Sequence, residues 1–121
     1  MIPKLMSPDR DALSAFFDLD DPQDLDLLRE LLESVLAEGP ANLALLFSAM
    51  SANELGEVEK AAHGLKSALG NVGLAAASEL CNRIMEAARS GDLEASRPLV
   101  ASLQEAAECL EQEILAFLAS L

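Results

Sequence analysis

The chain has 121 residues, 51% of them apolar and 3% aromatic, and a formal net charge of −13. That length suits one domain around a single core, so residues 1–121 are read as one unit. Charge of that sign argues against nucleic acid and anionic membrane surfaces, which both require a basic footprint, and leaves proteins as the expected partners.

Rich in Ala and Leu and poor in β-branched residues, the composition favours an all-α fold. Ser7-Pro8-Asp9 reads as an N-cap, an N1 proline and an early acid, predicting a short helix over about 8–18 within an N-terminal segment, residues 1–20. Asp21-Pro22 repeats the signal and opens the bundle, residues 21–121. Its first helix carries Leu25, Leu28, Leu32, Val35, Leu36, Leu43, Leu46, Phe47 and Met50 on a helical period. Gly39-Pro40 predicts a kink or brief break inside that arm. Asn53 is the expected cap of the next helix, which runs to about Gly70, where "GNVG" stops it before a helix over about 74–90. After the Gly91-Asp92 turn, Leu93 to Arg97 reads as a loose lead-in to one last helix with a stripe of Leu99, Leu103, Ala106, Leu110, Ile114, Phe117 and Leu121. Four long amphipathic helices joined by short turns predict an antiparallel up-down bundle, with the short first helix across one end.

Cys81 and Cys109 have neither CxxC spacing nor a nearby histidine, so buried unpaired thiols are expected rather than zinc ligands or a disulfide. "MIPKLMSPDR" lacks the apolar core of a secretory leader, and no apolar run nears the roughly 20 residues of a membrane span. A cytoplasmic, monomeric protein is expected.

His63, the only histidine, sits in "AAHGLKSALGNVG". At about 100° per residue, Val58, Leu65, Leu69 and Val72 share one face, and His63 points the opposite way. Around it on the outer face lie Glu59, Lys60, Lys66, Ser67 and Gly70, all charged or small. Between Lys60 and Arg89 there are four basic residues (Lys60, Lys66, Arg83, Arg89) against two acidic ones, so half the cations of an acidic chain lie near its one imidazole. Such an arrangement suits a phosphoryl group.

"HGLKSALGNVG" resembles the signature of histidine-containing phosphotransfer domains, approximately His-x-Leu-Lys-Gly-Ser-Ser with a glycine ten positions after the histidine. His63, Leu65, Lys66, Val72 and Gly73 match in place; Ser67 stands where glycine is usual, and Ala68 and Leu69 replace small residues. The resemblance implies a phosphorelay intermediate, not an enzyme and without kinase activity. His63 would take a phosphoryl group from the aspartyl phosphate of a response-regulator receiver domain, or from a hybrid histidine kinase, and pass it to another regulator. No cofactor is implied for this chain, Mg²⁺ being held by the receiver. Lys66, one turn on, would neutralise the phosphoryl oxygens, while Gly64, Ser67 and Gly70 leave room for the receiver and Lys60 and Arg89 meet its acidic surface. Relatives often place Glu or Gln 22 residues after the histidine to fix its ring. Here that position is Met85, which leaves the ring to water, backbone or another residue such as Asn82.

The alternative from another class is a helical adaptor of the same fold that binds receivers or kinases without carrying phosphate. General-base catalysis at His63 lacks a second acid, a nucleophile, an oxyanion donor and a metal cluster. Nucleotide binding lacks a Gly-rich phosphate loop.

Overall fold

The computed structural model describes residues 5–121; residues 1–4 of the expected N-terminal segment lie outside the described residues. Six helices follow in order: α1 (Arg10–Leu13), α2 (Pro22–Ser51), α3 (Leu55–Gly70), α4 (Ala75–Arg89), α5 (Leu93–Ala107) and α6 (Leu110–Ser120). α2 packs on α3, α3 on α4, α4 on α5, and both α5 and α6 close the ring against α2. This is the expected all-α bundle, its fourth arm made of two helices.

Three inter-helix turns use one chemistry. Asn53, Gly73 and Gly91 have φ of 58°, 79° and 72°, the left-handed conformation that reverses the chain after a helix. In each, the next amide reaches back across the helix end: Glu54 N–H to Ala49 O at 2.9 Å, Leu74 N–H to Leu69 O at 3.0 Å, and Asp92 N–H to Ala87 O at 3.0 Å. Carbonyls that a helix end would orphan are thereby satisfied. Asn53 therefore terminates α2 and does not cap α3, whose N-cap is Glu54 without a side-chain bond. Its Oδ1 accepts instead from Arg97 Nη2 of α5 at 3.0 Å.

Several expected boundaries move. α1 is capped by Asp9, whose carboxylate accepts from Asp11 N–H, and spans four residues, well short of residues 8–18. Asp9 N–H donates to Gly73 O at 2.8 Å, so a contact with the α3–α4 turn selects this cap over Ser7. Asp21 caps α2 as expected, and α2 runs unbroken through Pro40. Pro40 is exposed beside an open groove, where water can reach the Leu36 carbonyl that loses its donor.

Leu93 to Arg97 is helical, because the Asp92 carboxylate accepts from Ala95 N–H at 2.9 Å. The last arm breaks where the sequence predicts one helix: Glu108 and Cys109 donate three residues back, to Glu105 and Ala106. At this tightened turn Leu110 seats against Gly39, where its Cδ2 would lie 3.4 Å from an added Cβ. Cys109 at the break is exposed, not buried, whereas Cys81 is buried in α4 and its thiol is pushed up to about 12 by burial. Both thiols are unpaired.

α1 straps one end of the bundle. Its Leu13 is fully buried against Gly73, and Arg10 lies 5.3 Å from the centre of the Phe117 ring while donating to Ser120 Oγ at 3.1 Å. The strap therefore holds the α3–α4 turn and the end of α6 together.

Candidate functional site

The burial pattern of α3 sets its rotation. Val58, Ala62, Leu65 and Leu69 face the core, with Leu65 3% exposed. A helix so anchored must turn residues 63, 64 and 67 outward, and His63, Gly64 and Ser67 are all exposed. The wheel is right about the histidine.

α4 supplies the floor beneath the ring. Met85 is 6% exposed, and its Sδ lies 3.4 Å from His63 Nδ1. A thioether sulfur is a weak acceptor and never a donor. The expectation that Met85 offers the ring no acceptor and leaves it to water, backbone or another residue is therefore corrected, because the sulfur lies within hydrogen-bond reach of Nδ1. No side-chain hydrogen bond to Nε2 of the exposed ring occurs among the described residues. Asn82 does not orient the ring; its amide donates to Glu86 Oε1 at 3.3 Å.

The cations divide. Lys66 is half-buried on the α4 side, its carbonyl accepting from Ser78 Oγ of α4 at 2.8 Å. Lys60 is exposed on the other flank, in a shallow groove with Leu45, Ala49 and Ala61 between α2 and α3. Arg89 pairs with Glu59 of α3 at 2.8 Å, which is the ion pair found among the described residues. Glu59 lies one residue before the stretch that reads as basic, so the pair removes one cation from the patch and fastens α4 to α3. Arg89, expected to meet a partner's acidic surface, keeps its side chain 60% exposed while it pairs with Glu59. Both its side chain and that of Glu59 are solvated, so the pair contributes little to stability.

Of the three small residues expected to form a docking floor, two are open. A Cβ on Gly64 would meet nothing within 4 Å, whereas one on Gly70 would lie 3.0 Å from Ser78 Oγ. Gly70 is half-buried, and its missing side chain leaves the space that Ser78 of α4 takes up. Gly64→Ala is expected to raise stability by up to about 1 kcal/mol, since alanine is the better helix former and the site is empty. Thermal unfolding checks this, and an unchanged or lowered midpoint would contradict it.

The groove beside Lys60 was not anticipated. Leu45 is 65% exposed there. Its off-phase position beside Leu43 and Leu46 is the signal in the sequence. Among the described residues, no three His, Cys, Asp or Glu side chains are placed to hold a metal ion, and no helix is long and apolar enough to cross a membrane.

A family model described as Hpt domain matches residues 30–116. No curated protein and no solved structure gives a significant match to the chain.

Proposed function

Because the chain belongs to the Hpt domain family, whose members act as phosphocarriers in phosphorelays and not as kinases, we propose that His63 is its phosphoryl acceptor and donor. The observation that carries this reading is the placement of the only histidine, exposed at mid-helix on α3 with Nδ1 turned to α4. Its donor and acceptor partners are receiver domains of response regulators, or a hybrid histidine kinase that bears one, in the cytoplasm.

The chemistry asks little of this domain. The Nε2 lone pair attacks the phosphorus of an aspartyl phosphate in line; the N–P bond forms as the P–O bond breaks, and the carboxylate leaves with the electron pair. The receiver, with its Mg²⁺, holds the other side of the transferring group. Lys66 is half-buried one turn after His63 and in no ion pair among the described residues. Its ammonium neutralises charge on the phosphoryl oxygens. Gly64 and Ser67 keep the approach to the ring low, and Lys60 meets acidic groups of the receiver.

Lys66→Ala is expected to slow transfer by roughly tenfold, the effect of about 1.4 kcal/mol of lost charge stabilisation. Its unfolding midpoint should hardly change, because Lys66 is in no ion pair among the described residues and the backbone bond from Ser78 to its carbonyl survives the substitution. Parental transfer rates in that variant would remove the lysine from the site.

A receiver domain charged with acetyl phosphate and mixed with the protein tests the proposal. The expected result is label on this chain that survives base and is lost in acid. Complex formation without label would establish the adaptor reading in its place.

A further inference from the structure

We propose that the groove between α2 and the α5–α6 arm is a second docking surface, on the side of the bundle away from His63, and that its occupant is a basic amphipathic helix of a partner protein.

The groove originates in the sequence of α2. Leu36, Pro40, Leu43, Ala44 and Phe47 recur at helical spacing and form one stripe, rotated by about 85° from the core-facing line of Leu32, Gly39 and Leu46. Leu43 is buried, Leu36 and Phe47 are half-buried, and Pro40 and Ala44 are exposed. Ala107 and Leu110, on either side of the α5–α6 break, stand across from the stripe, and the open cleft between them has a volume of about 580 Å³. At 1.5 Å per residue the stripe is about 16 Å long, the length of three helical turns. An amphipathic helix laid along such a cleft seats its apolar face at a spacing that matches the stripe.

Charge identifies the occupant. The polar side chains that line the groove are Gln104, Glu108 and Glu111. Pro40 also leaves the Leu36 carbonyl without its usual amide donor. Apart from the Gln104 amide, these groups are acceptors. No Lys or Arg follows Arg29 in α2 or Arg97 in the α5–α6 arm, so neither wall carries a cation to balance them. Lys and Arg flanking an apolar face complement this rim, whereas an acidic helix or an anionic membrane is repelled by it. A second copy of the chain would bring a like-charged groove and its own net charge of −13.

The position of the groove sets what docking there permits. Around the bundle the order is α2, α3, α4 and the α5–α6 arm, which returns to α2. His63 lies at the α3–α4 seam beside Met85, and the groove is the seam diagonally opposite. A helix in the groove therefore leaves the histidine open, and the domain can be held by one partner while a receiver meets it on the other side. That consequence rests on the proposed role of His63, but the docking itself does not.

The test is selection on the protein from a display library of peptides of about 18 residues, with apolar residues fixed at helical spacing and Lys or Glu drawn at random between them. Selected peptides should be rich in Lys, and the changes they cause in ¹H–¹⁵N spectra of the protein should centre on residues 36–47 and 104–111. Ala44→Gln, which puts a long side chain into the stripe, should weaken the selected peptide by about tenfold or more. The double variant Glu108→Lys, Glu111→Lys should do the same by reversing the rim. All these positions are exposed, so unfolding midpoints should stay near that of the parent. His63→Gln should bind the peptide as tightly as the parent, which separates the docking from phosphate transfer. Failure to select any peptide, selection without preference for Lys, or spectral changes gathered on the α3–α4 face would overturn the proposal. So would self-association of the protein alone that Ala44→Gln abolishes, since the occupant would then be a second copy.

Discussion

His63→Gln is expected to fold like the parent and to take up no phosphoryl group from a charged receiver. The ring is exposed and its loss removes little packing, so the change in stability should stay within about 0.5 kcal/mol. Glutamine keeps a polar group of similar reach beside Met85 but has no nitrogen lone pair that can attack phosphorus, since its amide nitrogen is conjugated with the carbonyl. Because the chain has no other histidine, no second imidazole can substitute. Label should therefore fall to background, while circular dichroism and the unfolding midpoint remain those of the parent. Undiminished label on a folded variant would remove His63 from the chemistry.

Gly73→Ala carries the largest expected effect on stability, a loss of about 2 to 5 kcal/mol. Two causes add. The residue has φ of +79°, where an L side chain costs about 1 to 2 kcal/mol. An added Cβ would also lie 2.5 Å from Leu13 Cγ and 3.2 Å from Asp9 O, so α1 must move, and overpacking of this kind costs about 1 to 3 kcal/mol. Gly91→Ala separates the two, because φ there is +72° but nothing lies within 4 Å of a Cβ. Chemical denaturation of both variants should show Gly91→Ala losing only about 1 to 2 kcal/mol. Equal losses would mean that α1 is not seated on the α3–α4 turn. The glycine that matches the distal position of the family signature is thus explained by the strap that closes on it.

Much of this fold is legible in the sequence where its cause is local. The Asp21-Pro22 start, the Gly70–Gly73 stop and the Gly91 turn are decided by residues within a few positions of one another, and the structure places the helix ends there. Where long-range contacts decide, the sequence is silent. Ser7 and Asp9 are equally good caps until Asp9 N–H finds Gly73 O, 64 residues away in sequence. The α5–α6 break is hidden because its apolar stripe does not falter: Leu103, Ala106, Leu110, Ile114 and Phe117 are all buried across it.

The site divides along the same line. Burial of Leu65 and Leu69 turns His63 outward, and helical period alone predicts that. The approach of Met85 Sδ to the ring, the closeness of Ser78 to Gly70 and the pairing of Arg89 with Glu59 all arise from the docking of α4 on α3. Residues 22 or 30 positions apart on neighbouring helices meet only once both rotations are known. The pairing of Arg89 with Glu59 is the clearest instance, since a charge balance over consecutive residues does not see a partner one turn before the histidine on the facing helix.

The most direct measurement of the central claim is ³¹P NMR of the protein after incubation with a charged receiver and removal of that receiver under mildly alkaline conditions. The account predicts a single phosphoramidate resonance, coupled to the His63 ring at Nε2, that disappears on acidification and is never formed by His63→Gln. A resonance of an acyl phosphate, or none from a protein that binds the receiver, would contradict it.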